Sequence, residues 1–242
     1  MARMQINYPG MGDASLNVIV PQYGESEHHQ RMSEEEFYSR RFPMLWLLHG
    51  EGGSCSDWLR FTGVERYARE KDLVVVCPTI ENSFGINVGR GDPWEDFLTG
   101  SLRELIARML PVSEKAKDQA IAGVSMGGYA ALRLAMRHPD QYGTAGAFEP
   151  ITALDAAELS YAWSAEQLAY VFGSLEAMKQ PEYEITKMLQ NPAEGYPGRV
   201  YLYQEEPKRT GCRDWERYDR QLQDLIEKLE SISTVSASAT KF

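Results

Sequence analysis

The sequence predicts an α/β fold built on a mostly parallel, doubly wound sheet, and three observations predict it. From Phe42 onward, apolar strand-like runs alternate with runs of helix formers, the order that puts helices on both faces of a parallel sheet. Gly123-Val124-Ser125-Met126-Gly127 has the form G-x-S-x-G and joins the apolar run Gln119–Gly123 to the helix-forming run Tyr129–His138. A glycine-rich loop, His49-Gly50-Glu51-Gly52-Gly53, follows the apolar run Phe42–Leu48. At 242 residues the chain suits one domain, residues 1–242, and would be cramped as two.

Gln5–Tyr8 and Leu16–Val20 read as antiparallel strands joined by the turn Pro9-Gly10-Met11-Gly12. Residues 21–41 are polar with little apolar periodicity, and are expected to form a surface excursion. His28 and His29 stand in it, where adjacent histidines are usually solvated. Phe42–Leu48 is apolar throughout, as expected of a strand buried on both faces. A helix from about Gly63 to Glu70 then leads to the strand Leu73–Cys77.

Trp94–Leu110 repeats Phe97, Leu98, Leu102, Leu105, Ile106 and Met109 at helical spacing until Pro111 stops it. Tyr142–Phe148 is a further buried strand. Residues 151–196 turn irregular and helical, carrying Tyr161, Trp163, Tyr170, Phe172 and Tyr183. They fit either a lid over Ser125 or an ordinary packing pair of helices. Arg199–Tyr203 is the last clear strand, a helix with Trp215, Tyr218, Leu222, Leu225, Ile226 and Leu229 on one face follows, and residues 231–242 read as a loose tail.

The formal charge of −10 argues against nucleic-acid or anionic-membrane surfaces, which need clustered Lys and Arg. No apolar run approaches the roughly 18 residues of a membrane span, and the first residues lack the apolar core of a signal peptide. Three scattered cysteines without C-x-x-C speak against a disulfide framework or a zinc site and for a reducing compartment. The expectation is a cytoplasmic protein with no metal, for which a homo-oligomer stays open.

A G-x-S-x-G between strand and helix sets its serine on a turn so tight that the hydroxyl stands above the sheet. Ser125 is therefore the candidate nucleophile. The loop after Phe42–Leu48 is where a second oxyanion-binding amide is expected, so the donors would be the backbone N–H groups of Glu51 and Met126. A plain glycine turn is the alternative for that loop. His49 precedes the glycines, where it would stabilise the loop.

Taken in order, these pieces resemble the α/β-hydrolase superfamily, and within it the branch of tributyrin esterases, S-formylglutathione hydrolases and feruloyl esterases. The resemblance is carried by Leu47-Leu48-His49-Gly50 with Trp58, Leu73–Pro78, Asn82-Ser83-Phe84, Asp96-Phe97-Leu98 with Leu105, Pro111-Val112-Ser113, Ala122–Gly128 and the closing Gly211-Cys212-Arg213-Asp214-Trp215. It implies hydrolysis of a small ester or thioester through an acyl-enzyme on the serine, without a cofactor. The closing stretch is similar to the family's Gly-x-His-Asp-Trp, with Arg213 where the histidine belongs. A guanidinium stays protonated and cannot take the serine proton.

The last histidine, His138, lies at the far end of the helix after Ser125, roughly 17–20 Å away at the helical rise. Only residues 204–210 separate Tyr203 from Gly211, too few for the acid loop, helix and edge strand that the resemblance implies, so the last edge strand is expected to be missing. Glu205 or Glu206 stands near the acid position if Arg199–Tyr203 is the penultimate strand; if it is the edge strand, the missing part lies before it and they belong to the turn before Arg213. Glu149, at the end of the strand after the elbow, is a third candidate acid because some lipases place theirs there.

Three readings follow. In the first, an impaired esterase uses an unrecognised base, with His28 or His29 folded over the site. In the second, an inactive pseudo-hydrolase binds a ligand or partner. The third is a truncated or rearranged product with an exposed sheet edge.

Overall fold

The computed structural model describes residues 2–7, 14–88, 91–186, 196–204 and 213–233. Seven strands form one sheet: β1 (Ala2–Asn7), β2 (Ser15–Val20), β3 (Met44–Leu48), β4 (Val74–Pro78), β5 (Gln119–Val124), β6 (Thr144–Phe148) and β7 (Arg199–Tyr203), in the order β1-β2-β4-β3-β5-β6-β7. β1 and β2 are antiparallel to their neighbours, and every pair from β4 to β7 is parallel. The α/β expectation therefore holds, antiparallel start included.

All residues of β3, β4, β5 and β6 are buried, which is why these strands read as unbroken apolar runs. Side chains alternate between the two faces. Met44, Trp46 and Leu48 of β3 pack with α5 (Leu102–Met109) and α6 (Met126–Arg137), whereas Leu45 and Leu47 pack against Trp58 of α2 (Asp57–Phe61), α3 (Val64–Glu70) and the final helix, Trp215–Ser233.

β7 pairs with β6 in register, Thr144 opposite Arg199 and Phe148 opposite Tyr203, and is the last strand of the sheet among the described residues. The chain after Tyr203 thus leaves the carboxyl end of the sheet beside Glu149, whose N–H donates to the Tyr203 carbonyl.

Three expectations need correcting. β1 begins at Ala2 rather than Gln5, and the turn at residues 9–12 lies outside the described residues. Residues 21–41 are anchored rather than purely superficial. They hold a 3-10 turn at Glu27–Arg31 and α1 (Glu34–Ser39), and His29 and Phe37 are buried. The helix at 94–110 is interrupted: α4 (Trp94–Asp96) passes through a π turn, Phe97–Ser101, into α5. The extra residue rotates the following face by about 100°. Beyond it Leu102 and Ile106 are buried while Met109 is 49% exposed.

Candidate active site

Ser125 follows β5 and precedes α6 with φ +53° and ψ −115°, a region that non-glycine residues avoid. The neighbouring backbone holds it there. Its N–H donates to the Phe148 carbonyl at 2.9 Å, and its own carbonyl accepts from Tyr129 at 3.0 Å and Ile151 at 3.2 Å. The glycines supply the room. A Cβ on Gly123 would collide with the Gly127 carbonyl, and one on Gly127 would collide with the carbonyls of Leu48 and His49. The elbow therefore packs directly on the end of β3, and the positive end of α6 faces whatever charge gathers above Ser125.

That packing brings the loop after β3 to the nucleophile. The carboxylate oxygen Oε2 of Glu51 accepts a 2.9 Å hydrogen bond from Ser125 Oγ. Arg213 Nη2 donates to the backbone carbonyl of Glu51 and lies 3.5 Å from Glu51 Oε1, while Nη1 lies 3.8 Å from Asp57 Oδ2. The guanidinium spreads over Gly50, where an added Cβ would stand 3.2 Å from Nη2.

Arg213 is delivered by the final helix, numbered α8 here after α7 (Ala165–Phe172). Trp215 at its start packs between Trp58 and Phe61, and Asp219 accepts from Gly63 N–H at 2.7 Å and from the Tyr67 hydroxyl at 2.9 Å. The arginine thus arrives where the resemblance placed a histidine, at the mouth of the elbow.

None of the four histidines of the chain is bonded to Ser125. His28 Nε2 is 2.8 Å and His29 Nε2 is 2.7 Å from the Asp72 carboxylate, which Arg40 also reaches at 2.8 Å. Asp72 precedes β4, at the end of the parallel strands opposite the elbow, so neither histidine folds over the site and that expectation is withdrawn. Burial alone would raise the Asp72 carboxyl, but bonds from His28, His29 and Arg40 outweigh it and hold the group below its ordinary range. The three side chains could hold a metal by proximity. However, Gly24 N–H donates to His29 Nδ1 at 3.0 Å, so in the neutral ring Nε2 carries the proton and points it at Asp72.

His138 Nε2 lies 2.9 Å from Glu95, in a cluster with Arg133 and Arg137. His49 is buried and staples its loop as expected, with Nδ1 2.7 Å from the Gly50 carbonyl and Nε2 accepting from Ile80 N–H at 2.9 Å. Burial pushes its pKa down.

Glu149 sits at the end of β6 with φ +45°, where it accepts from the Tyr218 hydroxyl at 2.6 Å and pairs with Arg217. Glu205 and Glu206 lie outside the described residues. The expected oxyanion pair, Glu51 and Met126, flanks Ser125 as the loop-after-β3 residue and the first residue of α6. Reading the sequence singled out Glu51 for its amide and missed its side chain. The available signal was a carboxylate in the glycine loop matched by an arginine at the histidine position.

Residues 151–186 lie against the α6 face of the sheet, with Leu159, Trp163, Leu168, Phe172, Met178 and Ile185 buried in its core, while Tyr161 is 71% exposed. Burial and then the negative charge of Glu51 push the Tyr161 phenol up, while the Arg213 guanidinium opposes them. A cleft of about 360 Å³ opens nearby, lined by Asn82, Trp94, Trp163, Gln167, Tyr170 and Val171. Asn82 also ties the cleft to the loop, accepting from Gly52 N–H at 2.8 Å. Among the described residues no helix is long and apolar enough to cross a membrane.

The model of the Esterase family, described as "Putative esterase", matches residues 34–227. An S-formylglutathione hydrolase of Paracoccus denitrificans is 27% identical over 186 residues, 68% of this chain and 63% of the relative. An acetyl esterase of Caldicellulosiruptor saccharolyticus is 27% identical over 142 residues, 57% of this chain and 52% of the relative. The chain thus spans less than two thirds of the length of either. Among solved structures, FphF, a fluorophosphonate-binding serine hydrolase of Staphylococcus aureus, superposes with a TM-score of 0.75 at 22% identity, over 94% of this chain and 97% of its own.

Proposed function

The chain belongs to the Esterase family of serine hydrolases, and from that premise we propose that it cleaves small carboxylic esters or thioesters through an acyl-enzyme on Ser125, slowly for its class. One observation carries this reading: a serine held at positive φ on a strand-to-helix elbow, hydrogen-bonded to a carboxylate, with an arginine where the resembled esterases carry their histidine. The nucleophile and the two flanking loops support attack on an acyl carbon. The backbone N–H groups of Glu51 and Met126 would hold the oxyanion, helped by the amino end of α6.

The S-formylglutathione hydrolase and acetyl esterase among the relatives favour a short acyl group on sulfur or oxygen. Slowness follows from the missing imidazole. In a serine protease, removing the histidine costs about 10⁶ in kcat and leaves about 10³–10⁴ over water. Glu149, held by Arg217 and Tyr218 rather than by an imidazole, has no histidine to orient.

Incubation with p-nitrophenyl acetate and butyrate, beside a fluorophosphonate probe and a Ser125→Ala control, tests the proposal. Slow, Ser125-dependent release and labelling are expected. Absence of both would instead favour the second reading, an inactive family member that binds an acyl ligand or a partner, which the Arg213 position supports. Turnover above about 1 s⁻¹ would show that the site is not impaired.

A further inference from the structure

We propose that Glu51 is the general base for Ser125 and that Arg213 is the positioning residue that holds it, an arrangement in which a carboxylate fills the role of the missing imidazole. The inference rests on Ser125 being the nucleophile and goes beyond it by naming the acceptor of its proton. Glu51 Oε2 is 2.9 Å from Ser125 Oγ, within the range required for direct proton transfer. Each of the four histidines is occupied elsewhere, on Asp72, Glu95, or Gly50 and Ile80.

Arg213 has the geometry of a clamp. It donates to the backbone carbonyl of Glu51, and its Nη2 stands 3.5 Å from Oε1, the carboxylate oxygen that does not face Ser125. Asp57, 3.8 Å from Nη1, holds the other arm of the guanidinium. Among the described residues, Glu51, Asp57 and Arg213 thus meet at the mouth of the elbow, and the carboxylate on the nucleophile is the one attached to the oxyanion loop.

The steps balance without a further reactant. A lone pair of Ser125 Oγ forms the bond to the acyl carbon, the carbonyl π pair moves onto oxygen, and the Oγ proton passes to Glu51 Oε2. When the tetrahedral intermediate collapses, the bond to the leaving oxygen or sulfur breaks with its electron pair, and that atom takes the proton from the Glu51 acid. Water then attacks the acyl-enzyme and gives its proton to Glu51. The free acid departs as the proton returns to Ser125 Oγ.

A carboxylate is a weaker base than imidazole by about two pKa units in model compounds, which fits slow chemistry, but it stays ionised at pH values where imidazole is lost. The two bases therefore predict different pH profiles.

The test is the pH dependence of fluorophosphonate labelling and of p-nitrophenyl acetate turnover in the wild-type protein, Glu51→Gln, Glu51→Ala and Ser125→Ala, with folding of each checked by circular dichroism. A wild-type rate that holds through pH 6–7 is expected, with no inflection of the imidazole kind. Glu51→Gln, which retains side-chain size, should lose about 10² or more of the rate. Arg213→Lys should retain more of it than Arg213→Ala. Wild-type labelling that Glu51→Gln leaves unchanged or increases would overturn the proposal, because Glu51 would then be a bystander or an obstruction, while the assignment of Ser125 stood. Equal labelling of the wild type and Ser125→Ala would overturn both.

Discussion

His49 and Ile80 are joined by a 2.9 Å hydrogen bond in which the buried imidazole is the acceptor, and this fixes both the tautomer and the purpose of the ring. Because Ile80 supplies an N–H to Nε2 and Gly50 a carbonyl to Nδ1, the neutral Nδ1–H form satisfies both partners. The loop that carries Glu51 is thereby tied to the loop after β4.

Burial lowers the His49 pKa, although the Gly50 carbonyl opposes the shift. In the unfolded chain the ring takes a proton near its ordinary value of about 6.5. The unfolded state thus binds more protons just below that pH, so stability rises with pH there. His49's share is complete above about pH 6.5 and is lost as pH falls from there through the lower folded-state pKa. Urea unfolding at pH 5.5 and 7.5 should show the loss. His49→Ala should flatten this dependence and cost about 1–3 kcal/mol at pH 7.5 by leaving the Ile80 N–H unpaired.

Glu95 is the buried hub of a charged cluster, with Arg133 at 2.7 Å, Arg137 at 2.8 Å and His138 at 2.9 Å. Burial would raise its carboxyl, but the bonds from Arg137 and Arg133 prevail and hold it at about 2. Its stabilising share is present above the ordinary carboxylate range and is lost as pH falls through about 2. Glu95→Gln leaves Arg133, 3% exposed, without its countercharge. A loss of about 3–5 kcal/mol is expected at pH 7, read by thermal or urea unfolding, with fluorophosphonate labelling unchanged at temperatures where the variant stays folded.

Gly127→Ala tests the seat of the elbow on β3. The new methyl would meet the carbonyls of Leu48 and His49, backbone atoms that cannot move aside as a flexible side chain would. Overpacking of this kind costs about 1–3 kcal/mol. Labelling should fall further than stability, since any shift that relieves the collision moves Ser125 relative to Glu51.

Arg213→His restores an imidazole at the position the resemblance assigns to it. Turnover of p-nitrophenyl acetate should rise, and its pH profile should gain an inflection near the ordinary histidine value of about 6.5. The rescue should be partial, because Glu149, the candidate acid after β6, is already held by Arg217 and Tyr218. Full rescue would show that another acid serves the new ring, with Glu205 and Glu206 the first to mutate.

The sequence alone determined the sheet, the elbow and the family, because these depend on local pattern. A run such as Met44–Leu48 can be apolar at every position only when both faces are covered, and Gly123 and Gly127 bracket a turn that no larger residue fits. It also showed that Arg213 stands in a histidine's place. Only the tertiary structure decided what Ser125 touches. Glu51 lies 74 positions before Ser125 and Arg213 lies 88 after it, so no local periodicity links them, and the oxyanion loop was legible as a backbone device while its side chain was not. Folding likewise carried His28 and His29 away from the site, because Asp72 and Arg40 offered them charged partners at the opposite end of the strands. The π turn after Asp96 was not legible either, because the apolar spacing that predicts a helix does not register a local change in its hydrogen-bond pattern.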